Sequence, residues 1–158
     1  MKTSRSFRRL YWLLVLGFIS PLPSRAHPAA EDMANAANHF LAALSAEQKA
    51  KATFDLGSDE RFNWHFIPKT RNGLPFKDLT PAQTKLAHAL LGSGLSQRGY
   101  MKATTIMSLE EILRDQEKGK GPVRDPDLYF ISIFGKPSAT GTWGWRVEGH
   151  HLAINFTV

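Results

Sequence analysis

The sequence predicts an α+β domain, with N-terminal helices followed by a small antiparallel sheet that ends in a β-hairpin. Three observations carry this expectation. Apolar residues recur at helical spacing through the first half, Ser45-Ala-Glu-Gln48 and Thr80-Pro-Ala-Gln83 spell capping boxes, and the stretch from Tyr129 to Val158 is rich in aromatic and β-branched residues broken by turn signals.

The first 26 residues stand apart from that domain. Lys2, Arg5, Arg8 and Arg9 precede an apolar run from Leu10 to Ile19, and Pro21 and Pro23 close the run before the small residues Ser24 and Ala26. This is the layout of a secretory signal peptide cleaved after Ala26, and the run is too short for a membrane span, which needs roughly 20 apolar residues. The expected product is exported, periplasmic or extracellular, with no stable membrane anchor once the leader is removed.

Charge changes meaning with the leader. The whole chain carries +6, but residues 1–26 hold five of its 20 Lys+Arg and none of its 14 Asp+Glu. The remainder has 15 basic against 14 acidic residues, a net of +1, so the composition gives no reason to expect nucleic acid as a partner. The chain has no cysteine. Disulfides, thiolate zinc sites and cysteine nucleophiles are therefore excluded. Residues 27–158 suffice for one core and are expected to form one domain.

In chain order, Met33, Ala37, Phe40 and Leu44 form one apolar stripe, predicting a helix from Glu31 to about Leu44. The Ser45 box restarts a helix to about Phe54, with Ala50 and Phe54 facing inward. After Gly57-Ser-Asp, the alternation of Phe62, Trp64 and Phe66 with Asn63 and His65 has the period of a half-buried strand ending at Pro68, and Asn72-Gly73 marks a turn. Thr80 as N-cap, Pro81 at N1 and Gln83 at N3 start a helix that buries Ala82, Leu86, Ala89 and Leu90 and stops at Gly92-Ser-Gly94. A further helix runs from about Gln97 to Glu117. Ser108-Leu-Glu-Glu111 is a capping pattern inside it, which assigns Glu110 and Glu111 to a local helix start.

Tyr129-Phe-Ile-Ser-Ile-Phe134 is a strand, Gly135 through Gly141 a turn, and Trp143 opens the next strand. In a regular strand Arg146, Glu148 and His150 share one face at roughly 7 Å intervals, while Trp143, Trp145, Val147 and His151 take the other. Beyond Gly149 the apolar parity switches to Leu152, Ile154, Phe156 and Val158. One extra residue would produce that switch, so a β-bulge is expected at Gly149-His150.

These residues define the candidate chemistry. Arg146, Glu148 and His150 have the types needed for acid/base work: a histidine held by a carboxylate, with a guanidinium to stabilise an anion. Trp64, Arg71, Trp143 and Trp145 are the candidate substrate-binding residues. His150 and His151 are the candidate metal ligands for a divalent ion, although no His-x-His or His-Glu-x-x-His spacing supplies further ligands. The bland alternative is a cross-strand ion pair with aromatic core packing. No Gly-x-Ser-x-Gly elbow, phosphate loop or dinucleotide fingerprint occurs.

Phe62-Asn-Trp-His-Phe-Ile-Pro68 with Arg71-Asn-Gly-Leu74, Leu90-Leu-Gly-Ser-Gly-Leu-Ser96 with Gly99-Tyr100, Leu109-Glu110, and Arg124-Asp-Pro126 through Phe134-Gly-Lys-Pro137 and Trp143-Gly-Trp-Arg-Val-Glu-Gly-His-His-Leu152 resemble the exported family catalogued as domain of unknown function 3500. The resemblance implies no established activity. It does imply a longer protein, with segments beyond the His-His strand, so this chain is expected to be an N-terminal, C-terminally truncated portion of a larger fold. The clustered ionisable and aromatic residues leave three readings: a hydrolase or lyase acting by acid/base or metal-assisted chemistry on a small-molecule or oligomeric exported substrate is the first, and a carbohydrate- or peptide-binding module the second. An inactive truncated scaffold is the third.

Overall fold

A computed structural model describes residues 28–158; the signal-peptide reading of residues 1–26 lies outside them. Four helices pack on one face of a five-stranded mixed sheet that ends in a β-hairpin, an α+β arrangement. No helix among the described residues is long and apolar enough to cross a membrane.

Helix α1 (Pro28–Ala43) buries Met33, Ala34, Ala37 and Phe40, the expected stripe, and Leu44 follows it into the core. Helix α2 (Ala46–Ala52) starts at the Ser45 capping box, which is fully formed. The Thr80 box that starts α3 (Pro81–Gly94) is formed as well. The two boxes are joined, because Gln48 and Gln83 exchange amide hydrogen bonds of 2.9 and 3.1 Å and Gln83 Nε2 donates to Ala43 O at 2.8 Å. Holding Gln83 inside turns α3 about its axis. Its buried positions are Gln83, Ala87, Leu90 and Leu91, whereas Ala82 and Ala89 are exposed and Leu86 is half-buried, contrary to the sequence expectation.

Helix α2 also ends earlier than expected. Thr53–Phe54 leaves it as strand β1, which runs parallel to β3 (Phe130–Phe134), with the Phe54 and Phe134 rings 5.5 Å apart. Ala50 is exposed, and Ala52 takes the inward position. The sheet is therefore mixed rather than wholly antiparallel. A parallel pair needs a long crossover, and α3 and α4 (Gln97–Glu117) provide it. Helix α4 is continuous through Ser108, whose hydroxyl donates to Thr105 O, so no second helix starts there.

Strand β2 (Leu74–Pro75) pairs antiparallel with β3, β3 with β4 (Gly144–Gly149), and β4 with β5 (Leu152–Thr157). The expected bulge is instead a tight reversal. His150 and His151 form a two-residue turn, and pairing Gly149 with Leu152 puts Val147 opposite Ile154. A reversal switches apolar parity as a bulge would. His151 adopts φ +55, a left-handed conformation that histidine tolerates better than most side chains.

One sheet face, carrying Ile131, Ile133, Trp145, Val147 and Leu152, forms the core with Phe40, Ala87, Leu90 and Leu91. The Trp145 indole stacks on Phe156 at 4.6 Å, and Gly94 gives it room, since a Cβ there would come within 2.7 Å of the ring. The other face carries Ser132, Arg146 and Glu148, and it too is buried. What covers it is the segment expected to be a strand. Residues 59–62 form a 3₁₀ turn capped by Ser58, and the chain beyond runs irregularly to Gly73, leaving Phe62, Trp64 and Phe66 largely exposed. Its His65 and Ile67 carbonyls bond the Arg71 guanidinium and its Phe66 carbonyl the His151 amide of the hairpin turn, so no strand ladder forms.

Candidate functional site

Arg71 and Arg146 organise the covering segment. Arg146 donates from Nη1 to Glu60 O at 2.8 Å and from Nη2 to Glu60 Oε1 at 2.6 Å, and its Nε lies 2.8 Å from Glu148 Oε1 as an ion contact off hydrogen-bond alignment. Glu148 Oε2 accepts from Arg71 Nε at 3.1 Å and from the His65 amide at 3.0 Å. The other Arg71 donors go to the carbonyls of Lys69, His65, Ile67 and Gly149. Two guanidinium and two carboxylate groups thus balance in a buried network. Arg146 and Glu148 side chains are 0 and 1% exposed. Their aligned hydrogen bonds hold the segment to the sheet, which makes them a buried structural clamp, while Arg146 Nε and Glu148 Oε1 meet only as an ion contact.

Glu60 sits at the edge of this clamp. Burial pushes its carboxyl up, but hydrogen bonds from Asn63, Asn72 and Arg146 outweigh that and hold it below its ordinary value of 4.5. A carboxyl whose folded value is depressed stabilises the fold above the unfolded value and loses that contribution as pH falls through the lower folded one. Glu60→Gln is therefore expected to destabilise the protein at neutral pH, with the gap to wild type closing below about pH 4. Urea unfolding at the two pH values checks this; a gap independent of pH would contradict it.

His150 lies elsewhere, at the hairpin turn. Its Nδ1 is 2.5 Å from Glu110 Oε1, and the Tyr129 hydroxyl donates to its carbonyl at 2.9 Å. Arg124 Nη1 stands 3.1 Å from Nδ1, while Arg124 is itself gripped by Glu117 through bonds of 2.9 and 2.8 Å. These hydrogen bonds hold the Glu117 carboxyl below its usual range. Burial pushes the Tyr129 hydroxyl well above its ordinary value, so it stays a proton donor. His150, Glu110 and Tyr129 line a cleft of about 240 Å³ whose walls are Pro68–Arg71 on one side and Pro122, Val123, Asp125 and Leu128 on the other. With Nδ1–H given to the Glu110 carboxylate, Nε2 is the nitrogen left to accept a proton, and Arg124 Nη1 lies 3.5 Å from it.

The structure thus separates the residues that the sequence grouped. His150 lines the cleft, and Arg71 borders it with its donors already engaged. Arg146 and Glu148 belong to the clamp. Trp143 and Trp145 are fully buried, Trp143 donating to Ser138 O at 2.9 Å, so they are core residues and offer no stacking platform. Trp64 is 48% exposed and faces a separate slot. His151 is exposed, its ring 6.5 Å from Phe66 and 4.1 Å from His150. Among the described residues no three His, Asp or Glu side chains converge as a metal site, and at His150 the Arg124 guanidinium stands where a metal ion would have to compete with it.

Sequence reading missed Glu110, Arg124 and Tyr129. Glu110 had a signal, since Ala103, Met107 and Glu110 fall on one helix face and all are buried. A carboxylate on an apolar stripe needs a partner. Arg124 stands in a block that carries the family resemblance, but its loop position does not announce a contact with His150.

A sheet covered by helices on one side and by an arginine-clamped segment on the other defines an α+β protein with a histidine–glutamate cleft at its hairpin turn. The family described as "Protein of unknown function (DUF3500)" matches residues 26–158, and the chain belongs to it. No protein of curated function and no solved structure matches the chain.

Proposed function

We propose that the chain is exported and acts as a hydrolase or lyase, with His150 as the proton-transfer group and Glu110 as the residue that orients it. The observation carrying this is the His150–Glu110 pair in the wall of a cleft. Arg124 supplies positive charge beside the ring, suited to an anion developing during reaction. The substrate is a small molecule or one end of an oligomer met outside the cytoplasm, as the cleft volume and the leader sequence suggest. The acid/base reading requires no metal.

Turnover of p-nitrophenyl esters, glycosides and phosphates by the purified protein tests it. His150→Gln is expected to reduce the rate on any accepted substrate by roughly 10²–10⁴-fold, with Glu110→Gln intermediate. An unchanged rate in folded His150→Gln, or no turnover of any class by wild type, would sink the proposal. Export is checked by sequencing the N-terminus of extracytoplasmic protein, expected to begin at His27; uncleaved protein retained in the cytoplasm would rule it out.

A further inference from the structure

The clamped segment does not cover its sheet face to the end. Past Arg146, toward Gly144, residues 61–64 stand off the sheet and leave a slot of about 250 Å³ lined by Arg61, Phe62, Trp64, Phe134, Asn155 and Thr157 over the bare backbone of Gly144. The register puts Phe134, Gly144 and Thr157 in one row and Arg146 beside Asn155 in the next, so these side chains share that face. Phe62 is 73% exposed and Trp64 48%, and neither ring belongs to the core. Arg61 lies over the Phe62 ring at 5.3 Å.

We propose that this slot is a subsite for one neutral pyranose ring of a glycan. A pyranose presents an apolar C–H face and a rim of hydroxyls, and it is recognised by an aromatic plane flanked by groups that both donate and accept hydrogen bonds. Trp64 and Phe62 supply the planes, and the Asn155 carboxamide and Thr157 hydroxyl supply the paired donors and acceptors. Arg61 adds a donor while one of its nitrogens stays bound to Leu56 O. No carboxylate lines the slot, so a cationic ligand finds no counter-charge. Asn, Thr and Arg are poor walls for a lipid chain. The volume falls below the ~300 Å³ at which sites for drug-sized ligands begin, which suits a single ring. Gly144 keeps the floor open, and a Cβ there would meet Phe156 O at 2.7 Å. The subsite is independent of the cleft chemistry proposed above.

Trp64 is the exposed indole among the described residues; Trp145 also borders the slot but is fully buried, so loss of the emission change in Trp64→Ala assigns the signal to Trp64. Titration of the purified protein with maltohexaose, cellohexaose and chitohexaose is expected to give a saturable change in tryptophan emission with at least one of them. By calorimetry, Trp64→Ala and Asn155→Ala should each weaken that binding at least tenfold without moving the thermal midpoint, and His150→Gln should leave it intact. No saturable response to any of the three overturns the proposal. Equal affinity in the Trp64 and Asn155 variants does too, as does a response confined to phosphatidylcholine vesicles or an extended peptide. Because binding rather than turnover is read, failure here leaves the His150 proposal standing, and the reverse also holds.

Discussion

Replacing Glu148 by Gln is expected to lower the free energy of unfolding by about 3–5 kcal/mol, the usual cost of removing one partner from a buried ion pair. Glu148 is 1% exposed and is the carboxylate that Arg71 and Arg146 share. Its loss leaves two buried guanidinium groups facing Glu60 alone. Glutamine still has a carbonyl oxygen for the His65 amide, so the penalty comes from uncompensated charge rather than from the backbone bond. The exposed Lys51–Asp78 pair, at 3.0 Å, gives the contrast: Asp78→Asn is expected to cost about 0–1 kcal/mol. Replacing Arg146 and Glu148 together by Met removes a pair with no net charge and should cost less than Glu148→Gln alone. Urea unfolding of the four proteins decides the matter. A loss under about 1 kcal/mol for Glu148→Gln would mean that water already solvates the clamp.

The clamp also explains which parts of this fold were legible. Local devices were: both capping boxes, the apolar stripe of α1 and the β3–β4 hairpin depend on residues close in sequence. The segment from Phe62 to Phe66 has a real period of two but forms no strand, because its backbone groups bond Arg71, Glu148, Glu60 O and the His151 amide instead of a strand ladder. Nothing local announces a guanidinium that gathers four carbonyls. At the hairpin the parity switch was visible, but a bulge and a two-residue reversal write the same alternation, and His150-His151 lacks the Asn-Gly signal that marks such turns. The site was legible in part for the same reason. His150 stood out by type and neighbours, whereas its partners come from α4 and the following loop, 40 and 26 residues away in sequence.

Gly149→Ala is expected to be the most damaging small substitution near the cleft, costing about 3 kcal/mol or more from overpacking and a lost hydrogen bond together. A Cβ at Gly149 would come 2.5 Å from Tyr129 Cε1 and closer still to Cδ1. The ring cannot simply move aside, because Tyr129 is fully buried and its hydroxyl is fixed to His150 O at 2.9 Å. Shifting it breaks the bond that sets the turn, and His150 moves relative to Glu110. Gly57→Ala is the control, since nothing lies within 4 Å of a Cβ there and its φ is unrestricted; it is expected to change stability by less than about 1 kcal/mol. If the Tyr129 ring is the obstacle, Tyr129→Leu should reduce the cost of Gly149→Ala, so that the double variant is more stable than the sum of the singles predicts. Strict additivity would place the strain elsewhere in the hairpin and remove Tyr129 as the part that positions His150.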